Sequence, residues 1–181
     1  MIQVIEGKDV DVIEPFPVGQ LDHVVRWMHN FKSLVLDEMP DEEMLMFLGE
    51  QVKRMRTWGI IDKANLTKSK VVEVPIVGII FFEKINPYNG YFHVASNRKA
   101  WGEKLAKPGM VEQAGRLVID EIFKTDQDLM RVSAAMVSTN LAAVNLAKRL
   151  GFVKDGYFAR AAMQSGKPKD VMHFGILRPG E

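Results

Sequence analysis

RVSAAMVSTNLAAVNLAKRLGFV, residues 131–153, reads as four pieces of structure in a row. Residues 131–137 alternate Val132, Ala134 and Met136 with smaller partners, a pattern that predicts a strand covered on both faces. Ser138, Thr139 and Asn140 then offer side-chain oxygens to the free N–H groups of a first helical turn. Leu141, Val144, Ala147 with the Lys148 stem, and Leu150 form an apolar stripe at helical spacing, and Gly151 ends the helix. A buried strand passing straight into an amphipathic helix belongs to an α/β protein.

The pattern extends outward in both directions. After Gly151, residues 152–163 and 171–178 are strand-like, with Ser165-Gly166-Lys167-Pro168 turning between them. Ahead of the opening stretch, Pro108-Gly109 introduces a helix whose buried positions are Val111, Ala114, Val118, Ile119 and Ile122. Residues 74–82 and 91–96 read as an antiparallel hairpin around Asn86-Pro87-Tyr88-Asn89-Gly90, with Pro75 at its start. Residues 60–70, carrying Lys63, Lys68 and Lys70, read as a short strand and a surface loop. Earlier still, residues 20–31 place Leu21, Val24, Val25, Met28 and Phe31 at helical spacing. Pro40-Asp41-Glu42-Glu43 opens a second helix whose stripe is Met44, Leu45, Leu48, Val52 and Met55, with Gly59 after its last turn. The first residues hold two β-like runs, 2–5 and 10–13, equally consistent with a hairpin or a single strand.

No repeat or linker interrupts this order, so residues 1–181 are expected to form one domain, long enough to bury roughly 70% of its unfolded surface. The chain has no cysteine, which excludes a disulfide frame, a thiol nucleophile and a Cys-based metal site and suits a reducing cytoplasm. It shows no basic leader ahead of an apolar run and no apolar window approaching ~18 residues, so a soluble protein without membrane contact is expected. A net charge of +1 argues against binding nucleic acid through bulk charge, although Phe92, Trp101, Arg98 and Lys99 offer stacking and basic groups. The charge is unevenly spread: residues 1–50 carry 3 Lys/Arg against 11 Asp/Glu, residues 51–139 carry 14 against 9, and residues 140–181 carry 7 against 3. A polyanionic cofactor would prefer the later part of the chain.

The string N-x-x-A-x-x-x-A-x-x-L-G-F at residues 140–152, following a strand, resembles the end of the acyl-CoA-binding core of the GNAT superfamily of N-acetyltransferases. The nearest branch acetylates ribosomal-protein N-termini and small amines. The order of elements is also the one expected of a GNAT domain. The resemblance therefore implies an α/β (α+β) fold with a mixed, mostly antiparallel central sheet flanked by helices, and a splayed strand pair in its middle. It further implies acetyl-CoA as co-substrate, lying between residues 91–96 and 131–137, and direct attack by a primary amine, with no metal. The acidic first helices usually form the acceptor side in this family, which suits a basic acceptor, and a small amine, an antibiotic and a protein N-terminus all remain open.

The phosphate site has a physical basis of its own. A pyrophosphate needs several unpaired N–H donors aimed at one spot, and a loop entering a helix start supplies them together with the positive helix end. Gly109 permits close approach there. The family signature Arg/Gln-x-x-Gly-x-Gly/Ala is met only at Gly109, with Ala106 in its first place and Val111 in its last. Backbone groups of Ala95, Ser96, Gly109, Met110 and Val111 are the expected cofactor contacts, with Lys107 (or Lys104) as a phosphate contact and Asn140 beside the pantetheine arm.

For the chemistry, Tyr91, His93 and Ala95 share one strand face, and His93 has the imidazole suited to taking a proton from an ammonium at neutral pH. Glu83 is the reserve base and Ser138 the reserve donor. The two places where the family keeps a general acid hold Ala143 and Ala147. That gap, with Ala106 and Val111, motivates a second reading: a GNAT fold that has lost catalysis and acts as a binding or assembly factor in a larger particle. Its partner, or a second copy of the chain, would use the terminal hairpin edge or the acidic helices. Other chemistries find no pattern: His23, His29 and His173 lack metal-ligand spacing, and no Gly-x-Gly-x-x-Gly, P-loop or Gly-x-Ser-x-Gly turn occurs.

Overall fold

A computed structural model describes residues 2–29, 40–66, 76–96, 109–164 and 166–180. The chain opens with a hairpin, β1 (Gln3–Glu6) and β2 (Val10–Glu14), which resolves the first strands as two. A short 3₁₀ turn (Val18–Gln20) leads into α1 (Leu21–His29), and α2 (Asp41–Arg54) follows. Then come β3 (Arg56–Asp62), a one-turn helix α3 (Lys63–Leu66), β4 (Ile76–Asn86) and β5 (Asn89–Ser96). The second half is α4 (Met110–Thr125), β6 (Arg131–Val137), α5 (Leu141–Arg149), β7 (Val153–Gln164) and β8 (Lys167–Leu177).

The strands form one eight-stranded sheet in the order β1-β2-β3-β4-β5-β6-β8-β7. Every neighbouring pair is antiparallel except β5 and β6, which run parallel. Because side chains alternate across a strand, the sheet carries two cores. On one face α4 and α5 cover Val10, Val12, Trp58, Ile60, Ile80, Phe82, Phe92 and Val132. On the other, α1 and α2 bring Leu21, Val24, Val25, Met44 and Leu48 onto Ile13, Ile61, Ile76, Ile79 and Phe81. Among the described residues no helix is long and apolar enough to cross a membrane.

Several local readings of the sequence change. Gly59 does not stop α2, whose C-cap is Met55; it lies inside β3, where a Cβ would meet the Ile76 side chain at 2.7 Å. The segment after residue 60 holds the end of β3 and the turn of α3, while 67–70 lie outside the described residues, as does Phe31. The β4–β5 turn is centred on Pro87-Tyr88, because Asn86 already pairs with Asn89. The Asn86 side chain accepts hydrogen bonds from the Tyr88 and Asn89 N–H groups, both at 2.9 Å, and so supplies the turn chemistry expected of Asn89-Gly90. On α5 the buried residues are Val144, Leu146 and Ala147, with Leu150 just beyond its end, whereas Leu141 at the free end is 67% exposed. Strand β6 is covered on both faces only at Val132–Ala134; Ala135 is exposed, for a reason that lies in the pairing of β5 with β6.

Candidate active site

Parallel pairing of β5 with β6 extends over three positions: Asn89↔Arg131, Gly90↔Val132 and Tyr91↔Ser133. Beyond Tyr91, β5 continues to Ser96 while paired to β4, and beyond Ser133, β6 continues to Val137 while paired to β8. Among the described residues the facing edges of 92–96 and 134–137 therefore have no strand partner, and the sheet opens into a V with Tyr91 and Ser133 at its apex. Below the apex the strands are tied closely. The Tyr88 carbonyl accepts from the N–H groups of Met130 and Arg131 at 2.9 and 3.0 Å, and the Met130 carbonyl accepts from the Arg178 N–H at 2.9 Å.

Helix α4 runs toward the tied end. Its last turn is followed by Asp126, which pairs with Lys84 of β4 at 2.6 Å, so its N-terminus points to the open end of the V. There Gly109 is the N-cap, in the left-handed region at φ +92° and with no side-chain cap, and a Cβ on it would meet nothing within 4 Å. Gly109 therefore gives the first-turn N–H groups of Met110, Val111 and Glu112 no side-chain cap. Met110 and Val111 are 2% and 4% exposed and belong to the α4-side core. The β-branched Val111 therefore points into the core and does not obstruct an approaching phosphate.

Two more expected contacts lie at the same open end. Asn140 caps α5 by accepting a hydrogen bond from the Ala143 N–H at 3.2 Å. At the end of β5, Ser96 is buried on the α4 side, and its hydroxyl has no hydrogen-bond partner among the described residues. A buried polar atom without a partner costs free energy that a polar ligand group would recover. Ala95 lies on the other face, packed against the second core. By position, Ser96 ends β5, Gly109–Val111 begin α4 and Asn140 follows β6, while Ala95 packs against one core and Met110 and Val111 belong to the other. Lys107, with Lys104 and Ala106, lies outside the described residues.

The proton-transfer candidates divide. Tyr91 and His93 lie on the α1/α2 face of β5, opposite Glu83 and Phe81 of β4 respectively, so His93 and Glu83 are diagonal neighbours across the strands. The Tyr91 and His93 rings stack with centroids 6.2 Å apart. His93 keeps solvent at one edge, yet protein atoms crowd its ring; that loss of water holds its pKa below the ordinary 6.5, against an upward pull from Glu83. The imidazole is thereby kept neutral at neutral pH, with a lone pair to offer. Ser138 is not brought to this group. It follows the far end of β6, where its N–H donates to the Asp170 carbonyl at 2.8 Å, close in sequence to the Asn140 cap.

No protein-family model matches the sequence, and no curated protein matches it either. Solved structures do match. The ribosomal-protein-S5-alanine acetyltransferase of Vibrio fischeri superimposes with a TM-score of 0.75 at 16% identity, over 98% of each chain. RimL, the ribosomal L7/L12 α-N-protein acetyltransferase in complex with coenzyme A, gives 0.78 at 13% identity, over 99% of this chain and 100% of that one. The chain has the fold of the GNAT acetyltransferases. The self-immunity acetyltransferase MccE, solved with acetyl-CoA and AMP, matches at 0.73 and 14% identity over 95% of this chain and 94% of its own.

Within this GNAT fold, one constellation escaped the sequence reading. The Tyr91 hydroxyl lies 2.6 Å from His173 Nε2, and His173 Nδ1 lies 3.1 Å from Asp155 Oδ1. The other Asp155 oxygen takes a hydrogen bond from the Arg131 guanidinium, whose Nε donates to Ser133 Oγ at 2.9 Å. Ser133 in turn donates to the Asn89 side chain at 2.9 Å. These residues come from β5, β6, β7 and β8, and no spacing along the chain relates them. The sheet order assembles them, because β6 and β8 lie side by side between β5 and β7. Ala143 and Ala147 hold no proton donor, and Ala147 is 5% exposed in the core, so a larger acid is not accommodated at that place.

Proposed function

We propose that the protein is an acetyl-CoA-dependent N-acetyltransferase acting on a primary amine. The observation that carries this reading is the V between β5 and β6, with the uncapped start of α4 at its mouth. The N–H groups following Gly109 would take the pyrophosphate, Ser96 and Asn140 would line the path of the arm, and the unpaired edges of β5 and β6 would hold it in extended form. Bound acetyl-CoA supplies the activated thioester carbonyl. Two of the similar structures hold coenzyme A or acetyl-CoA, in agreement with this reading.

A thioester entering from the α4 side presents its acyl end to the other face, where Tyr91, His93 and Glu83 stand. His93 with Glu83 would take the proton from the ammonium, and the amine would attack the carbonyl directly. Proximity in such an arrangement is worth about 7–11 kcal/mol of barrier, so the chemistry draws mainly on positioning. The acceptor would be basic. Helices α1 and α2 cover this face and come from the acidic residues 1–50, with Asp22, Glu42 and Glu43 exposed on them. The lapsed-fold reading rested partly on Val111 in the last place of the family signature, and the burial of its side chain in the core weakens that support.

Calorimetric titration with acetyl-CoA tests the binding, and release of coenzyme A thiol in the presence of amines tests the transfer. Because the chain has no cysteine, a thiol-reactive dye reads the product without background from the protein. Saturable heat and amine-dependent thiol release are expected, faster for a diamine than for a monoamine of the same length. No heat at millimolar acetyl-CoA overturns the proposal.

A further inference from the structure

We propose that Tyr91, held by the His173–Asp155–Arg131 chain at the apex of the V, is a catalytic proton shuttle that takes the proton from the attacking amine and delivers it to the departing sulfur. The proposal rests on the acetyl-transfer reading and adds to it the group that the helix after β6 does not provide.

The argument begins with the hydrogen-bond inventory. An ionised Asp155 only accepts, so the facing nitrogen of a neutral His173, Nδ1, carries the hydrogen. Nε2 then has the lone pair, and the Tyr91 hydroxyl must donate to it. The phenol oxygen is left with lone pairs directed away from His173, free to accept a proton from another group. Tyr91 is also the last residue of β5 paired to β6, on the face reached by an acyl end coming through the V. From Ser96 to Tyr91 the strand spans roughly 16 Å at ~3.3 Å per residue, a depth available to an extended arm. A structural tether between β5 and β8 would need the Tyr91–His173 contact alone. Here the contact is backed by a carboxylate and an arginine in series, the order in which a transferred proton is stabilised.

The proton balance closes without another reactant. The amine nitrogen forms a bond to the carbonyl carbon, and the nitrogen gives a proton to the Tyr91 oxygen while the Tyr91 proton passes to His173 Nε2. The imidazolium is held by Asp155. The C–S bond then breaks with its electron pair on sulfur, Tyr91 donates a proton to the thiolate, and His173 returns one to Tyr91. Amide and thiol are formed, and the relay ends as it began. Among the described residues the charged and titratable groups facing Tyr91 and His173 are Glu83 on β4, His93 on β5, Arg131 on β6 and Asp155 on β7, and each enters the pH behaviour.

Tyr91→Phe keeps the ring and removes the hydroxyl. The shuttle requires kcat to fall about 10²–10⁴-fold with the Kd for acetyl-CoA within about twofold, the range for a lost general acid–base group. Asp155→Asn should lower kcat and change the shape of its pH profile without changing that Kd, whereas a purely structural role would leave the profile unmoved. Nitrogen-15 NMR of the His173 ring supplies a readout that needs no turnover: Nδ1–H with an accepting Nε2 is expected, and Nε2–H overturns the shuttle. Thiol release by Tyr91→Phe at the wild-type rate overturns the shuttle alone. No thiol release by the wild-type protein with any amine overturns the acetyl-transfer reading and the shuttle together.

Discussion

The guanidinium of Arg131 occupies the space that a side chain on Gly175 would need: a Cβ there would touch its Nη1, Nη2 and Cζ atoms. Gly175 pairs with Ser133 on the neighbouring strand, so its bare backbone is the gap through which Arg131 reaches across β8 to Asp155 on β7. Gly175→Ala is expected to move the far end of a flexible side chain and leave the core alone. The stability loss should stay within about 1 kcal/mol, since the Arg131–Asp155 pair is partly exposed. The rate of acetyl transfer should fall several-fold. Urea denaturation beside steady-state kinetics checks both, and a large loss of stability would mean that Gly175 serves packing instead.

Gly109 offers a cleaner test of the phosphate site than its position in the sequence suggests. At φ +92° any side chain costs about 1–2 kcal/mol, whether or not a ligand binds. Gly109→Ala measures that backbone cost, and Gly109→Asp adds a negative charge in open space at the helix start. Acetyl-CoA affinity should fall at least about tenfold further for Asp than for Ala, while the two melt at similar temperatures. Equal affinities for the two variants would remove the pyrophosphate from this helix end.

Asn140→Ala removes the hydrogen bond to the Ala143 N–H and should cost about 1 kcal/mol in denaturant unfolding. Asn140→Ser should recover most of it, because Ser caps a helix about as well. If the Asn side chain also lines the arm of the co-substrate, Ser will restore stability without restoring the KM for acetyl-CoA.

Stability should respond to pH through His93 and Asp155 in separate windows. His93 has its folded pKa below 6.5 because burial disfavours the imidazolium. The unfolded chain therefore binds the proton more readily, and stability falls as pH drops below about 6.5. Asp155 behaves differently. Partial burial pushes its carboxyl up, but hydrogen bonds and charge from Arg131 and His173 outweigh this and hold its pKa below 3.8. Its contribution is present above about 3.9 and disappears as the pH falls through the folded value. His93→Gln should flatten the upper window and Asp155→Asn the lower in unfolding curves recorded from pH 7 to pH 3.

The sequence carried the fold because its signals were local. The α4 pattern Val111, Ala114, Val118, Ile119, Ile122 matches the buried residues of that helix, and the quoted stretch yields β6, the Asn140 cap and the left-handed Gly151. The placement of His93 beside Tyr91 on one strand face, and of Gly109 at the start of α4, was legible for the same reason. Val111 carried two readings, a buried helix position and the last place of the family signature, and the helix phase that predicts the first sends its side chain to the core. The Tyr91–His173–Asp155–Arg131 chain was invisible because its members meet only when β8 inserts between β6 and β7, a matter of long-range pairing. Leu141, expected on the buried stripe of α5, is exposed in its first turn, and Leu146 is buried in its place.

The three-position seam between β5 and β6 also has a mechanical meaning. It is the one strand-to-strand link described between an antiparallel sheet built from β1 to β5 and another built from β6, β8 and β7. Two stiff plates joined along a short edge behave as a pair of levers, and a slight rotation at the joint becomes a larger displacement at their far ends. The fulcrum is clasped by the C-terminal arginine, since Arg178 donates to the carbonyls of Phe123 and Leu129 at 2.9 Å each while its own N–H holds Met130. Arg178 thus fastens the tied end of the joint to the loop after α4, on the side remote from the mouth of the V.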